Sequence, residues 1–279
     1  MSVITMQPIL FELPPSFLVT SSLAAVLAGV VCSMVGVFVV RMNLSSVGFT
    51  MSHAAFAGAA FGLMLSLDPL LCAVGFSTAV ALVLGPVSEK AHLRPDVILG
   101  VSFSVMLALG FMFLSLIPGG VISSTALSIL WGSIFGVTLL DLILISFLTG
   151  TIALIVVVFF KEFEAILFDR KLAEADGIPT RRFYYAMLFL TGLVVALTLK
   201  IIGGLLVFAL IINSASTVYQ FSYNIRRIMV ASPVVGGLVC LVGLMFSLLL
   251  DLPVGSSIVI VSSLVFAAAI LVSPKRRRG

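Results

Sequence analysis

FLVTSSLAAVLAGVVCSMVGVFVV, residues 17–40, runs twenty-four positions without a charge and stops at Arg41. Coiled as a helix, a stretch of this kind exceeds the ~20 residues needed to cross a ~30 Å hydrocarbon core. The pattern recurs. Uncharged runs also occupy 44–67, 69–88, 97–117, 142–160, 183–199, 201–225, 228–250 and 252–274. If the N-terminus starts outside, the inner gaps hold Arg41, Lys90, Arg94, Lys161, Arg170, Lys171, Arg181, Arg182, Arg226, Arg227 and the tail Lys275 to Arg278. Only Lys200 is left outside, so fourteen of the fifteen basic residues fall on one side. The bias of basic residues toward the cytoplasmic side sets topology in short loops. The sequence therefore predicts an all-α, polytopic transmembrane helical bundle of about nine apolar segments, making eight or nine spans. Its N-terminus lies outside, its C-terminus lies in the cytoplasm, and residues 1–279 form a single transmembrane domain.

Composition excludes a soluble domain. The chain is 61% hydrophobic and 9% charged, against roughly 45–50% and 25% in soluble proteins. Its formal charge of +4 follows from topology and gives no reason to expect a nucleic-acid partner; the lipid bilayer is the partner that composition demands. The start MSVITMQPILFELPP has no basic n-region, so a cleaved signal peptide is not expected. Cys32, Cys72 and Cys240 all lie within apolar runs and are odd in number, against a disulfide framework. No GxxxxGK[ST] phosphate loop, GxSxG elbow or HExxH pair occurs. A chain without a nucleotide site and almost without buried charge neither hydrolyses ATP nor readily relays protons. Any pumping draws its energy from a partner.

Turn residues mark the expected outer boundaries: Asp68-Pro69, Pro118-Gly119-Gly120 and Pro253. Residues 1–16 read as an outer, proline-punctuated stretch. The uncharged piece 121–141 reads as a re-entrant or interfacial helix, with Trp131 at headgroup level. In the seventh run, IIGGLLVFALIINSASTVYQ, the front half is apolar and the back half carries Asn213, Ser214, Ser216, Thr217, Tyr219 and Gln220. Such side chains at membrane depth need protein or a water-lined cavity beside them. Two roles stay open for them: helix-to-helix hydrogen bonding and the lining of a pathway.

The longest inner gap, KEFEAILFDRKLAEADGIPTRR at 161–182, sets Ala165, Ile166, Leu167, Leu172 and Ala173 among charges at helical spacing, with Gly177 and Pro179 as a stop. That spacing predicts a short amphipathic helix along the membrane. Its apolar face could pack on its own bundle or dock on a soluble partner. His53 is the one histidine, acid or base in the middle of an apolar run. An ionisable group at that depth is a candidate for function, although a neutral imidazole could equally be satisfied by Ser52 or a carbonyl. Phe49, Thr50, Phe56 and Ala57 lie three or four residues from it along the helix. His92, in an inner gap, reads as solvated.

Taken together, GFTMSHAAFAG (48–58), FDRKLAEADGIPTRR (168–182), GGLLVFALIINSAST (203–217) and LDLPVGSSIVIVSSLVF (250–266) resemble the ABC-3 family of zinc, manganese and iron importer permeases. The similarity extends from about residue 17 to 273. It implies a permease that carries divalent metal ions into the cytoplasm across a bacterial or archaeal plasma membrane. It also implies a second copy of the chain, two copies of a cytoplasmic ABC ATPase subunit that binds the ATP, and an extracytoplasmic solute-binding protein. No cofactor is implied for the chain itself. The 161–182 loop becomes the coupling segment, with Phe168, Asp169, Leu172, Ala173 and Gly177 as its contact residues. His53 falls on the family's pore histidine, with Phe49, Thr50, Ser52 and Asn213 as further pathway residues.

Two positions depart from that pattern. Phe49 stands where the family usually has an aspartate, and Asn213 where it usually has a proline. An Asp–His pair at i and i+4 offers two ligands for Zn²⁺, Mn²⁺ or Fe²⁺, whereas a histidine beside phenylalanine offers one. A chelated metal or another small solute therefore stands as an alternative cargo. A secondary transporter without an ATPase is disfavoured by the scarcity of buried carboxylates. A purely structural subunit of a membrane complex is the third alternative.

Overall fold

Proline and short polar side chains start most of the helices, and glycine or a boundary residue ends them. The computed structural model describes residues 14–91, 95–117, 132 and 136–274. Among the described residues there are eleven helices: α1 (Pro15–Arg41), α2 (Ser45–Met64), α3 (Pro69–Ala91), α4 (Pro95–Ser115), α5 (Leu139–Val158), α6 (Phe160–Phe168), α7 (Arg170–Ala175), α8 (Thr180–Ile202), α9 (Gly204–Tyr219), α10 (Ile225–Leu250) and α11 (Val254–Val272). Pro15 occupies the first turn of α1, where no N–H is missed. Thr138 and Asp141 form a reciprocal capping box on α5, and Asn224 caps α10 through the Arg227 amide. The readings of residues 1–13, Pro118-Gly119-Gly120, Trp131 and His92 fall outside the described residues.

Eight of these helices are long and apolar enough to cross a membrane: α1 to α5, α8, α10 and α11. The all-helical, polytopic architecture read from the charge pattern is the one observed. The seventh run behaves differently from its neighbours. Ile201 and Ile202 complete α8, the chain turns at Gly203 with φ +99° and ψ 138°, and α9 is left with sixteen residues. Only glycine adopts that backbone conformation without strain. At ~1.5 Å per residue α9 spans ~24 Å, short of the bilayer core. It is enclosed instead, packing on α1, α2, α8, α10 and α11.

The inner helices are α1, α2, α8 and α9, while α4 and α5 lie outermost. In α2, 78% of the apolar window is buried inside the protein, against 17% in α4. Small residues permit this. The run His53–Ala60 is mostly alanine and glycine, and a Cβ on Gly58 would collide with the Cys72 carbonyl of α3. Close backbone approach of this kind holds membrane helices together where the hydrophobic effect between them is absent. Cys32 and Cys240 are buried and Cys72 is half-buried, all as free thiols.

Loops expected on the same side meet in space. The Arg41 Nε donates to the Leu167 carbonyl at 2.9 Å, Arg226 pairs with Glu164 at 3.4 Å, and the Ser273 hydroxyl donates to the Gln220 carbonyl at 3.0 Å. At the opposite end, the one basic residue assigned outside is neutralised: Lys200 Nζ lies 2.6 Å from the Asp141 carboxylate. That carboxylate is itself held by Thr138 at the start of α5.

The 161–182 loop folds as two helices where the periodicity predicts one. Asp169, in extended conformation (φ −153°), ends α6, and its carboxylate accepts the Lys171 and Leu172 amides to start α7. Gly177 (φ +84°) closes the segment. The break re-phases the side chains. Phe163, Ile166, Leu167 and Ala173 are buried against the bundle, while Phe168 and Leu172 are 73% and 58% exposed.

Candidate translocation site

The helical period of α2 sets Phe49 and His53 one turn apart on the same side. Their rings meet edge to face with centroids 4.8 Å apart. From α4, Phe103 stacks on Phe49 at 4.5 Å and lies 4.6 Å from the imidazole. From α9, Phe208 meets Phe49 edge-on at 4.6 Å. His53 is 2% exposed. Helices α2, α4 and α9 thus converge on a single imidazole set among phenyl rings, away from lipid.

The neighbouring hydroxyls are committed to the scaffold. Thr50 Oγ1 donates to the Ser46 carbonyl in its own helix (2.9 Å) and lies 3.0 Å from the Leu99 carbonyl of α4. Ser52 donates to the Gly48 carbonyl at 2.8 Å, so it serves α2 and leaves the imidazole alone. Asn213 lies five residues beyond Phe208, roughly 140° round the helix at 100° per residue. Its amide therefore leaves α9 on another side, donating to the Ser262 and Ser263 hydroxyls of α11 at 3.0 and 3.1 Å. The five pathway residues read from the sequence accordingly form two groups, one around His53 and one around Asn213. Asn213 is half-buried and Ser263 exposed near the middle of their helices while Ser262 is buried, so the described residues leave the Asn213–Ser263 edge of this cluster uncovered.

Phe103 and Phe208 were not legible as site residues. Phe208 lies in GGLLVFALIINSAST, but no local signal says that it faces α2, and Phe103 is one apolar residue among many in α4. As a donor set, the His53 group offers one imidazole, a ligand of borderline softness, and aromatic faces. Among the described residues no group of three or more His, Cys, Asp or Glu side chains comes together. Such a site suits transient contact with a passing solute better than resident metal binding.

A multi-spanning bundle with a short enclosed helix, a lone buried imidazole and a two-helix segment with apolar side chains left exposed defines a membrane permease worked from outside itself. The chain belongs to the ABC 3 transport family, whose model matches residues 15–273. It is 30% identical to the manganese transport system membrane protein MntC of Listeria monocytogenes over 94% of this chain and 92% of that one. It is 27% identical to the chelated iron transport system membrane protein YfeD of Yersinia pestis, over 91% and 85% of the two chains. Among solved structures it superposes on PsaBC from Streptococcus pneumoniae in complex with Fab with a TM-score of 0.82, at 29% identity over 94% of this chain and 93% of that one. The family resemblance read from four sequence segments is therefore correct. The chain is a multi-pass permease subunit of an ABC importer, and ATP hydrolysis belongs to a separate subunit.

Proposed function

We propose that this chain, in two copies, forms the passage by which a divalent transition metal of the manganese, zinc and iron class enters a bacterial cell across its plasma membrane. Two ATPase subunits dock on the basic face, which is cytoplasmic, and an extracytoplasmic binding protein delivers the cargo to the opposite face. The observation that carries the reading is the position of His53: an ionisable side chain mid-span, buried at 2% exposure where three helices meet. One imidazole from each copy, with oxygen atoms of the Asn213 cluster, gives weak stepwise coordination, which transit needs and storage does not. The uncovered Asn213–Ser263 edge favours a second copy, because polar groups at this depth are stable only against protein or water. Phe168 and Leu172 supply the apolar contact for the ATPase, on a segment that Asp169 and Gly177 shape.

The Phe49–Phe103 stack favours a second reading, in which the cargo is a chelated metal or a small neutral solute that tolerates aromatic walls. Uptake of radioactive Mn²⁺, Zn²⁺ and Fe²⁺ by cells carrying the whole transporter separates the two. Uptake of a free ion that falls on His53→Ala at unchanged expression supports the first. Indifference to all three ions, with uptake of a chelate, transfers the proposal to the second.

A further inference from the structure

On the basic face, a cavity of about 470 Å³ opens between the α1–α2 turn, the inner end of α3 and the α6–α7 junction. That volume lies in the range of small-ligand pockets, ~300–1,000 Å³. Arg41 and Arg170 both line it. Arg41 is aimed by its Nε bond to the Leu167 carbonyl, which leaves the outer edge of the guanidinium for another acceptor. Arg170 lies over the Tyr184 ring, 5.4 Å from its centroid. Asp169 is the one acid on the wall, and its carboxylate is engaged by the Lys171 and Leu172 amides. Among the described residues, neither arginine has a carboxylate partner.

Part of the wall has a different character. Leu44 precedes α2, and Gly85 lies six residues, or ~9 Å, up α3 from its inner end. The cavity therefore lies near the inner ends of the spans, where headgroups meet acyl chains, and its wall combines two guanidinium groups with the apolar side chains of Leu44, Ile166 and Leu167. Basic pockets between membrane helices on the cytoplasmic side hold anionic headgroups, and arginine suits phosphate oxygens in particular. We propose that this cavity binds the phosphate-bearing headgroup of an anionic phospholipid. Arg41 and Arg170 hold the phosphate, and the glycerol carbons rest against Leu44, Ile166 and Leu167. A lipid seated there braces the α6–α7 segment against α1 and α3, and so couples the segment's stiffness to the composition of the leaflet.

Native mass spectrometry and thermal unfolding of the chain in detergent, assembled with its ATPase subunit and, for comparison, without it, titrated with short-chain phosphatidylglycerol or phosphatidylcholine, test the proposal. We expect phosphatidylglycerol to be retained about ten-fold better, the worth of one charge-assisted hydrogen bond. That preference should vanish in Arg170→Gln and in Arg41→Gln. Lys161→Gln, on the same face but outside the cavity, should keep it. Among the described residues Arg170 makes no side-chain hydrogen bond or ion pair beside its contact with the Tyr184 ring, so its variant separates binding from folding if Arg41→Gln proves unstable. Equal retention of the two lipids, or an unchanged preference in Arg170→Gln, overturns the proposal. Equal protection by inorganic phosphate overturns the lipid source in favour of a free anion. Complete displacement of lipid by the ATPase overturns it in favour of the partner.

Discussion

Phenylalanine serves opposite ends in two regions of this molecule. Inside the bundle, Phe49, Phe103 and Phe208 cover one another and His53, so the rings are satisfied by the fold itself. In the α6–α7 segment, Phe163 is tucked against Phe38 and Phe183, yet Phe168, five residues on, is 73% exposed. The contrast separates what the chain completes alone from what it leaves for a partner. Around His53 the bundle is closed by aromatic rings, so on the proposed route the helices that carry them must move for cargo to pass. The segment at the basic face is where a push can be applied.

The comparison breaks most visibly at two adjacent residues. Leu172→Glu should abolish uptake and ATPase coupling in the assembled transporter while leaving the thermal stability of the isolated permease unchanged. Ala173→Glu, at a 1% exposed position, should lower the stability of the chain on its own, by about 3 kcal/mol or more, because it buries an unpaired charge. If both variants melt like the wild type, the division between finished and unfinished surfaces fails. His53→Ala should next reduce metal uptake by about ten-fold at constant expression, corresponding to ~1.4 kcal/mol on the transit barrier. Phe49→Asp should act in the reverse sense, strengthening and broadening divalent-metal handling by restoring a second ligand one turn from the imidazole. Radioactive uptake measured for Mn²⁺, Zn²⁺ and Fe²⁺ reads both.

Smaller effects sharpen the picture of the scaffold. Thr50→Val removes the Leu99 contact and should cost roughly 0.6 kcal/mol, the average for hydrogen bonds between membrane helices. Lys200→Met should change stability by less than about 1 kcal/mol. Its side chain is 42% exposed, and although the Asp141 side chain is 11% exposed, its carboxylate keeps the Thr138 amide and hydroxyl as partners, so the loss of the lysine stays small. A denaturation series in detergent would resolve the first and bound the second.

The charge pattern carried the fold because each basic cluster had to lie on one side, and the apolar runs between clusters were long enough to cross. The length of α9 was harder to read. The run boundary at Lys200 put the turn three residues early, and the Gly203-Gly204 pair marks where it falls and so shortens the helix that follows. Phe49 and His53 were legible together because helical spacing joins them. Phe103 and Phe208 reach the same place from other helices, and packing between helices leaves no periodic trace. Leu172 and Ala173 read as one apolar face because the spacing implied a continuous helix. Asp169 interrupts it and turns Leu172 outward.

The bond from Thr50 to the Leu99 carbonyl has a practical corollary. It adds to the close packing of α4 on the helix that carries His53, so a shift of one helix is expected to be felt by the other. Val101, two residues further along α4 and 61% exposed on its outer side, is thus a place for a spectroscopic reporter. A label there would register displacement of the imidazole from the outside of the protein, without entering the route that the cargo takes.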